Sequence, residues 1–191
     1  MPEKNNIPVV RERIMQTAEL LFTQFGINAV SLDLIAKQAK TTKMTVYRYF
    51  SNKDDLVLEW LKSTTDQYNA VFDTLAVKFP DVAQAQILGF VDYIIENLAN
   101  AGNRGCPFTN TIAELSDTHH PARILIQQHK KRQLQRLTDL FLQMGVQDPL
   151  YMAEELTLLL EGAQVVAQNE SIEQIGSLLK KMIAAKLNHA K

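Results

Sequence analysis

A single cysteine, seven glycines and six prolines are few for a chain of 191 residues. One thiol excludes an intramolecular disulfide, so a packed core must hold the fold, and a reducing cytosol is the expected compartment. The opening MPEKNNIPVV lacks the apolar segment that a secretory leader carries. No apolar run approaches the length that spans a bilayer, and the chain is expected to be soluble and cytoplasmic. No stretch alternates polar and apolar residues with period two, which leaves helices as the building blocks. A glycine-rich phosphate loop, a nucleophile–base motif and a metal-ligand spacing are also missing, so neither an enzyme nor a metal or cofactor is expected. His119, His120 and His129 do not alter this, because adjacent loop histidines without a cysteine or carboxylate triad match no known metal arrangement.

A local absence is more informative. From Leu34 to Lys53 there are five basic residues and no acidic one, although the whole chain has a formal charge of −1. A basic patch on a near-neutral protein is the electrostatic footprint of nucleic-acid binding. The surrounding stretch, from Ser31 to Lys53, reads SLDLIAKQAKTTKMTVYRYFSNK. Ser31 is a good N-cap, and Asp33 sits where the helix dipole favours negative charge. Leu32, Ile35, Ala36 and Ala39 recur at helical spacing and predict a short helix over about 32–39. Lys40, Thr41 and Thr42 break it. A second short helix runs to about Tyr49, and Ser51-Asn52 caps a third.

Within the second helix Val46 and Phe50 point to the core, while Thr41, Met44, Thr45 and Arg48 form the opposite stripe. Hydroxyls and a guanidinium suit base edges in the major groove, and a thioether suits a thymine methyl. Lys43, Tyr47, Tyr49 and Lys53 flank the stripe with the reach to hold phosphates. Two short helices across a tight turn, the second one basic, make a helix-turn-helix. With Ser31 and Thr42 at the helix starts, the candidate DNA contacts are Ser31, Thr41, Thr42, Lys43, Met44, Thr45, Tyr47, Arg48, Tyr49 and Lys53.

At these residues the chain resembles the TetR family of transcriptional regulators. AKTTKMTVYRYFSNKDDL is similar to the family's helix-turn-helix signature, with Ala39, Lys43, Thr45, Tyr47, Tyr49, Phe50 and Lys53 matching in order. AELLFTQFGINAVSLDLIA resembles the family's first two helices. Lys40 stands where a turn glycine is usual, and Met44 where a second glycine is common. If the turn keeps a left-handed residue, lysine costs roughly 1 kcal/mol there. The resemblance covers the first sixty or so residues. It implies an all-α fold in which an N-terminal three-helix helix-turn-helix domain (residues 1–53) joins, through a long helix, a C-terminal helical domain (54–191) for effector binding and dimerisation. The implied partners are double-stranded DNA, a small-molecule effector and a second copy of the chain. RGCPFTNTIAELSD followed by HHPAR also resembles a segment of one branch of the family.

Residues 1 to about 8 read as a tail. A helix is predicted from Val10 to Phe25, closed by Gly26. Arg11 or Arg13 at its start either touches the DNA backbone or is simply solvated. The long helix is predicted from Lys53 to Lys78 or Phe79, about 37 Å at 1.5 Å per residue. Further helices are predicted at 82–98, 107–115, 122–144, 149–168 and 171–187, with loops at 100–105 and 116–121.

Cys106 precedes Pro107 at a helix start, where free N–H groups and the positive helix end act on a thiolate. It is either a redox or electrophile sensor or a small inert core residue. Glu161 lies in the apolar run LTLLLEGAQVV with Thr157 and Gln164 on its face. It is either an effector contact or half of an internal ion pair with Arg123 or Lys130. Trp60, Tyr68, Phe90, Tyr93, Phe108, Asn110 and Gln164 complete the candidate effector set, with core packing the alternative for each aromatic. The basic run 129–136 reads as a solvated helix face. Leu156, Leu158, Leu159, Leu160, Val165 and Val166, followed by Ile172, Ile175, Leu179, Met182 and Ile183, make two helices that need cover on several sides, as in a four-helix homodimer interface. The expected function is a repressor released from a palindromic operator by a small apolar effector. The alternatives are a repressor that senses through Cys106, or a helical adaptor without DNA binding.

Overall fold

The structure, a computed structural model, describes residues 7–100, 104–169 and 171–189. Among them are nine helices and no strand: α1 (Ile7–Phe25), α2 (Leu32–Gln38), α3 (Lys43–Tyr49), α4 (Lys53–Lys78), α5 (Ala83–Asn100), α6 (Pro107–Glu114), α7 (Pro121–Gln143), α8 (Pro149–Val166) and α9 (Ile172–His189). They form two compact units. Unit 1 runs to Thr64 and adds Pro107–Ile126, and unit 2 comprises Thr65–Cys106 and Gln127 onward. Helices α4 and α7 therefore contribute residues to both. Among the described residues no helix is long and apolar enough to cross a membrane.

Helix α1 starts at Ile7, earlier than periodicity predicts, because a proline in the first turn forfeits no intrahelical hydrogen bond. The rest of the predicted tail, residues 1–6, lies outside the described residues. So do residues 101–103 of the predicted 100–105 loop. Asn100 is the last residue of α5, and Gly105 has φ +73°.

In unit 1, Ile14, Ala18 and Phe22 of α1, Ile35 of α2, Val46 of α3, and Leu56, Trp60 and Leu61 of α4 are buried. The Phe22 and Trp60 rings lie 5.3 Å apart. Local chemistry sets the helix ends. Ser31 accepts the Leu34 N–H at 3.1 Å, Thr42 accepts the Thr45 N–H at 3.1 Å, and Asn52 accepts the Asp55 N–H at 2.8 Å. Each satisfies a donor that the first helical turn leaves unpaired. Helix α2 closes in a Schellman motif: Lys40 N–H donates to Lys37 O at 3.2 Å and Thr41 N–H to Ala36 O at 2.9 Å. Lys40 occupies its left-handed position with φ +50°. The turn therefore keeps the geometry a glycine would favour, and lysine there costs about 1 kcal/mol.

Unit 2 is built from α5, α8 and α9 with the remainders of α4 and α7. Its core includes Phe90, Ile87, Leu98, Leu137, Phe141 and Leu160. The Phe72 and Phe90 rings stack at 4.4 Å.

Candidate nucleic-acid interface and the interior of unit 2

Helix α3 is anchored by Val46 and Phe50, which are 0% and 3% exposed. That fixes its opposite face outward: Met44, Tyr47 and Arg48 are exposed, and Thr41 and Thr45 are half-exposed. Met44 leaves 77% of its surface in water, which puts its thioether on the outward face. The Thr42 hydroxyl serves as the cap and lies 2.9 Å from Thr45 Oγ1, so these two candidates share one local network. The Arg48 guanidinium lies over the Tyr49 ring at 5.9 Å and remains exposed.

The cations beside this stripe are less available than their number suggests. Lys43 Nζ is 2.7 Å from Asp33 Oδ2, and that hydrogen bond raises its pKa. Both groups are exposed, so the pair is weak and a phosphate can replace the carboxylate. Arg11 pairs with Glu59 and lies over the Phe50 ring at 5.2 Å. Arg13 Nε donates to Ala39 O at 2.7 Å, at the end of α2. Both arginines brace unit 1 internally, a role that neither reading of the sequence anticipates.

In unit 2, Cys106 directly precedes α6 as predicted and is 3% exposed. Lys130 Nζ lies 3.8 Å from its sulfur and pairs with Glu161, one of the two partners expected for that carboxylate. Burial pulls the Lys130 ammonium down, but Cys106 and Glu161 together outweigh it and hold its pKa above the usual lysine value. Tyr68 meets Tyr93 edge-on at 5.2 Å and His129 edge-on at 5.3 Å. Burial, followed by the neighbouring Cys106, pushes the Tyr68 phenol well above its ordinary range. Gln164 is buried, and its Nε2 donates to Leu160 O at 3.1 Å. The candidate effector residues thus fall into two sets. Tyr68, Phe90, Tyr93, Glu161 and Gln164 belong to unit 2, whereas Trp60, Phe108 and Asn110 belong to unit 1.

The basic run 129–136 is not a solvated face throughout. His129 and Gln133 are 1% and 6% exposed and continue an inward stripe with Ile126, Leu137 and Phe141. That helical spacing is present in the sequence and is masked by the charges between. Burial, then the charges of Lys130 and Arg132, lowers the His129 pKa to about 4. Unfolded His titrates near 6.5, so between these values the unfolded chain binds a proton that the folded chain refuses. Stability therefore rises with pH across this window and is lost as pH falls, by up to about 3 kcal/mol for this group. The melting temperature is expected to fall between neutral pH and pH about 4.5, and less steeply in His129→Phe.

Between α4 and α5 of unit 2 runs an open groove of about 590 Å³. Val71, Leu75, Phe79 and Leu88 are among its apolar lining, and Tyr93, alone of the candidate effector residues, also lines it. Its size is that of a small-molecule site.

Residues 14–60 match the model of a family described as bacterial regulatory proteins, tetR family. Over 46 residues the chain is 44% identical to the uncharacterized HTH-type transcriptional regulator YhgD of Bacillus subtilis, a match spanning 24% of each chain. It is 23% identical over 152 residues to the HTH-type transcriptional regulator YjdC of Escherichia coli, covering 80% of each. A crystal structure of a TetR-family transcriptional regulator from Streptomyces coelicolor superposes with a TM-score of 0.89 at 29% identity, over 95% of each chain.

Proposed function

Because this chain belongs to the TetR family of bacterial regulatory proteins and is a DNA-binding transcriptional regulator, we propose that it works as a homodimeric repressor. In this reading it leaves a palindromic operator when a small molecule binds unit 2. The observation that carries it is the outward face of α3, where Met44 and Arg48 are exposed and Thr45 half-exposed, with Thr41 half-exposed in the turn just before it, a surface suited to base contact. Ser31, Thr42, Lys43, Tyr47, Tyr49 and Lys53 are proposed to hold the backbone around it.

Dimerisation is supported by uncovered apolar surface on the last two helices. Tyr151, Leu158 and Val165 recur every seven residues along α8 and are 57%, 73% and 50% exposed. Leu178 and Met182, one turn apart on α9, are 54% and 41% exposed. Exposed apolar side chains on both helices suit a two-fold partner, and two-fold proteins read palindromes. The groove along α4 supports an effector site, because α4 contributes residues to both units. A ligand that shifts α4 would thereby weaken DNA binding, and DNA must weaken the ligand by the same factor.

Leu158→Glu tests the assembly. Light scattering is expected to give twice the 21.6 kDa chain mass for the parent and the single mass for the variant. Binding of the variant to a palindromic duplex should drop at least about 100-fold, since one head alone reads only half of the site. A variant that stays dimeric and bound would move the interface elsewhere.

A further inference from the structure

Glu114, the last residue of α6, reaches the turn that leads into the helix-turn-helix. Its Oε2 accepts the Asn28 backbone N–H at 2.6 Å, and the Asn28 side-chain amide donates back to the Glu114 carbonyl at 3.0 Å. The two residues are 86 positions apart in sequence. Gly26 makes this possible: a Cβ there would overlap the Glu114 carboxylate, and its φ of +82° also favours glycine. On the core side of the same turn Ile27 and Val30 are 4% and 0% exposed. The turn is thus gripped from two directions immediately before Ser31 caps α2. The end of α6 is held in its own right, since Arg123 Nη1 donates to Ile112 O at 3.0 Å and Leu115 O at 2.8 Å. All these residues belong to unit 1, although the family match ends at residue 60.

We propose that Glu114 is a positioning residue for DNA recognition. By clasping Asn28 it sets the pose of the α1–α2 turn, and with it the angle at which α2 and α3 meet the duplex. The inference rests on the DNA-reading role of α3. A hydrogen bond to a carboxylate is of the stronger, charge-assisted kind, which suits it to hold an exposed turn. Base-edge hydrogen bonds weaken steeply when their angles are spoiled, whereas attraction to phosphates tolerates small rotations. Losing the clasp therefore costs discrimination between sequences rather than general affinity for DNA.

The test uses the full-length chain and a duplex that the unsubstituted protein enriches from a random pool, with a scrambled duplex of equal length beside it. Glu114→Ala should weaken the enriched duplex about tenfold while the scrambled duplex is unchanged. Asn28→Ala, which keeps the backbone N–H on the carboxylate and loses only the amide bond to the Glu114 carbonyl, should weaken it by no more than about threefold. Glu114→Gln keeps an oxygen to accept the Asn28 N–H and loses only the charge, so it should stay within about threefold of the parent. Hydrogen exchange at the Asn28 amide should accelerate in Glu114→Ala and less so in Glu114→Gln. An unchanged ratio of the two affinities in Glu114→Ala overturns the clasp. So does a parallel loss on both duplexes together with a lower melting temperature, which would mark Glu114 as a stabiliser only. If the parent enriches no duplex, the DNA-reading premise fails and the clasp's role falls with it.

Discussion

Arg48→Ala is expected to weaken binding to an enriched duplex by about ten- to a hundredfold, and to relax the base preference at one position in each half-site. The expectation follows from what the guanidinium does in the free protein. It is exposed and lies over the Tyr49 ring at 5.9 Å. Its removal should therefore leave the melting temperature nearly unchanged, so any drop in affinity is a loss of recognition. Lys53→Ala provides the contrast. In the role proposed for Lys53, its loss should weaken all duplexes alike and reduce the slope of log K against log salt by about one. Fluorescence anisotropy across a salt series reads both effects. Equal losses on every sequence for Arg48→Ala would place that side chain on the backbone rather than on a base.

The second large effect concerns stability. Phe90 is fully buried, stacks on Phe72 at 4.4 Å and lies 6.4 Å from the Tyr93 ring. Phe90→Ala should cost about 3–5 kcal/mol, through the transfer energy of the missing ring and the cavity left behind. In a chain of this length that lowers the melting temperature by roughly 6–20 °C. A residue lining an effector pocket behaves differently, because truncation there opens onto space that solvent already fills. A loss below about 1 kcal/mol would accordingly assign Phe90 to the ligand rather than to the core.

The reading head was legible in the sequence because its geometry is local. Ser31, Thr42 and Asn52 each cap a helix by bonding a backbone N–H three residues on. The division of α3 into a buried side at Val46 and an outward side at Met44 and Arg48 needs only helical spacing, whereas Thr41, expected on the same stripe, lies in the turn before the extended cap residue Thr42. The strain at Lys40 follows from the turn's requirement for a left-handed residue. The interior of unit 2 was less legible. His129 and Gln133 sit among charged neighbours, and a run of cations hides an inward stripe from any reading of composition. The Lys130–Glu161 pair could be named as one option among two, but its choice over Arg123 could not. Arg123 instead bonds the carbonyls at the end of α6.

From the order of its residues alone, the chain determined the capped starts of α2, α3 and α4 and which side of α3 is turned away from the core. Tertiary structure decided which charges remain available for a partner. Arg11 goes to Glu59, Arg13 to the Ala39 carbonyl, Lys43 to Asp33 and Glu114 to Asn28. The reason is one of range: caps and faces depend on neighbours within about four residues, whereas a pairing across 86 residues depends on how helices pack, which local spacing does not encode.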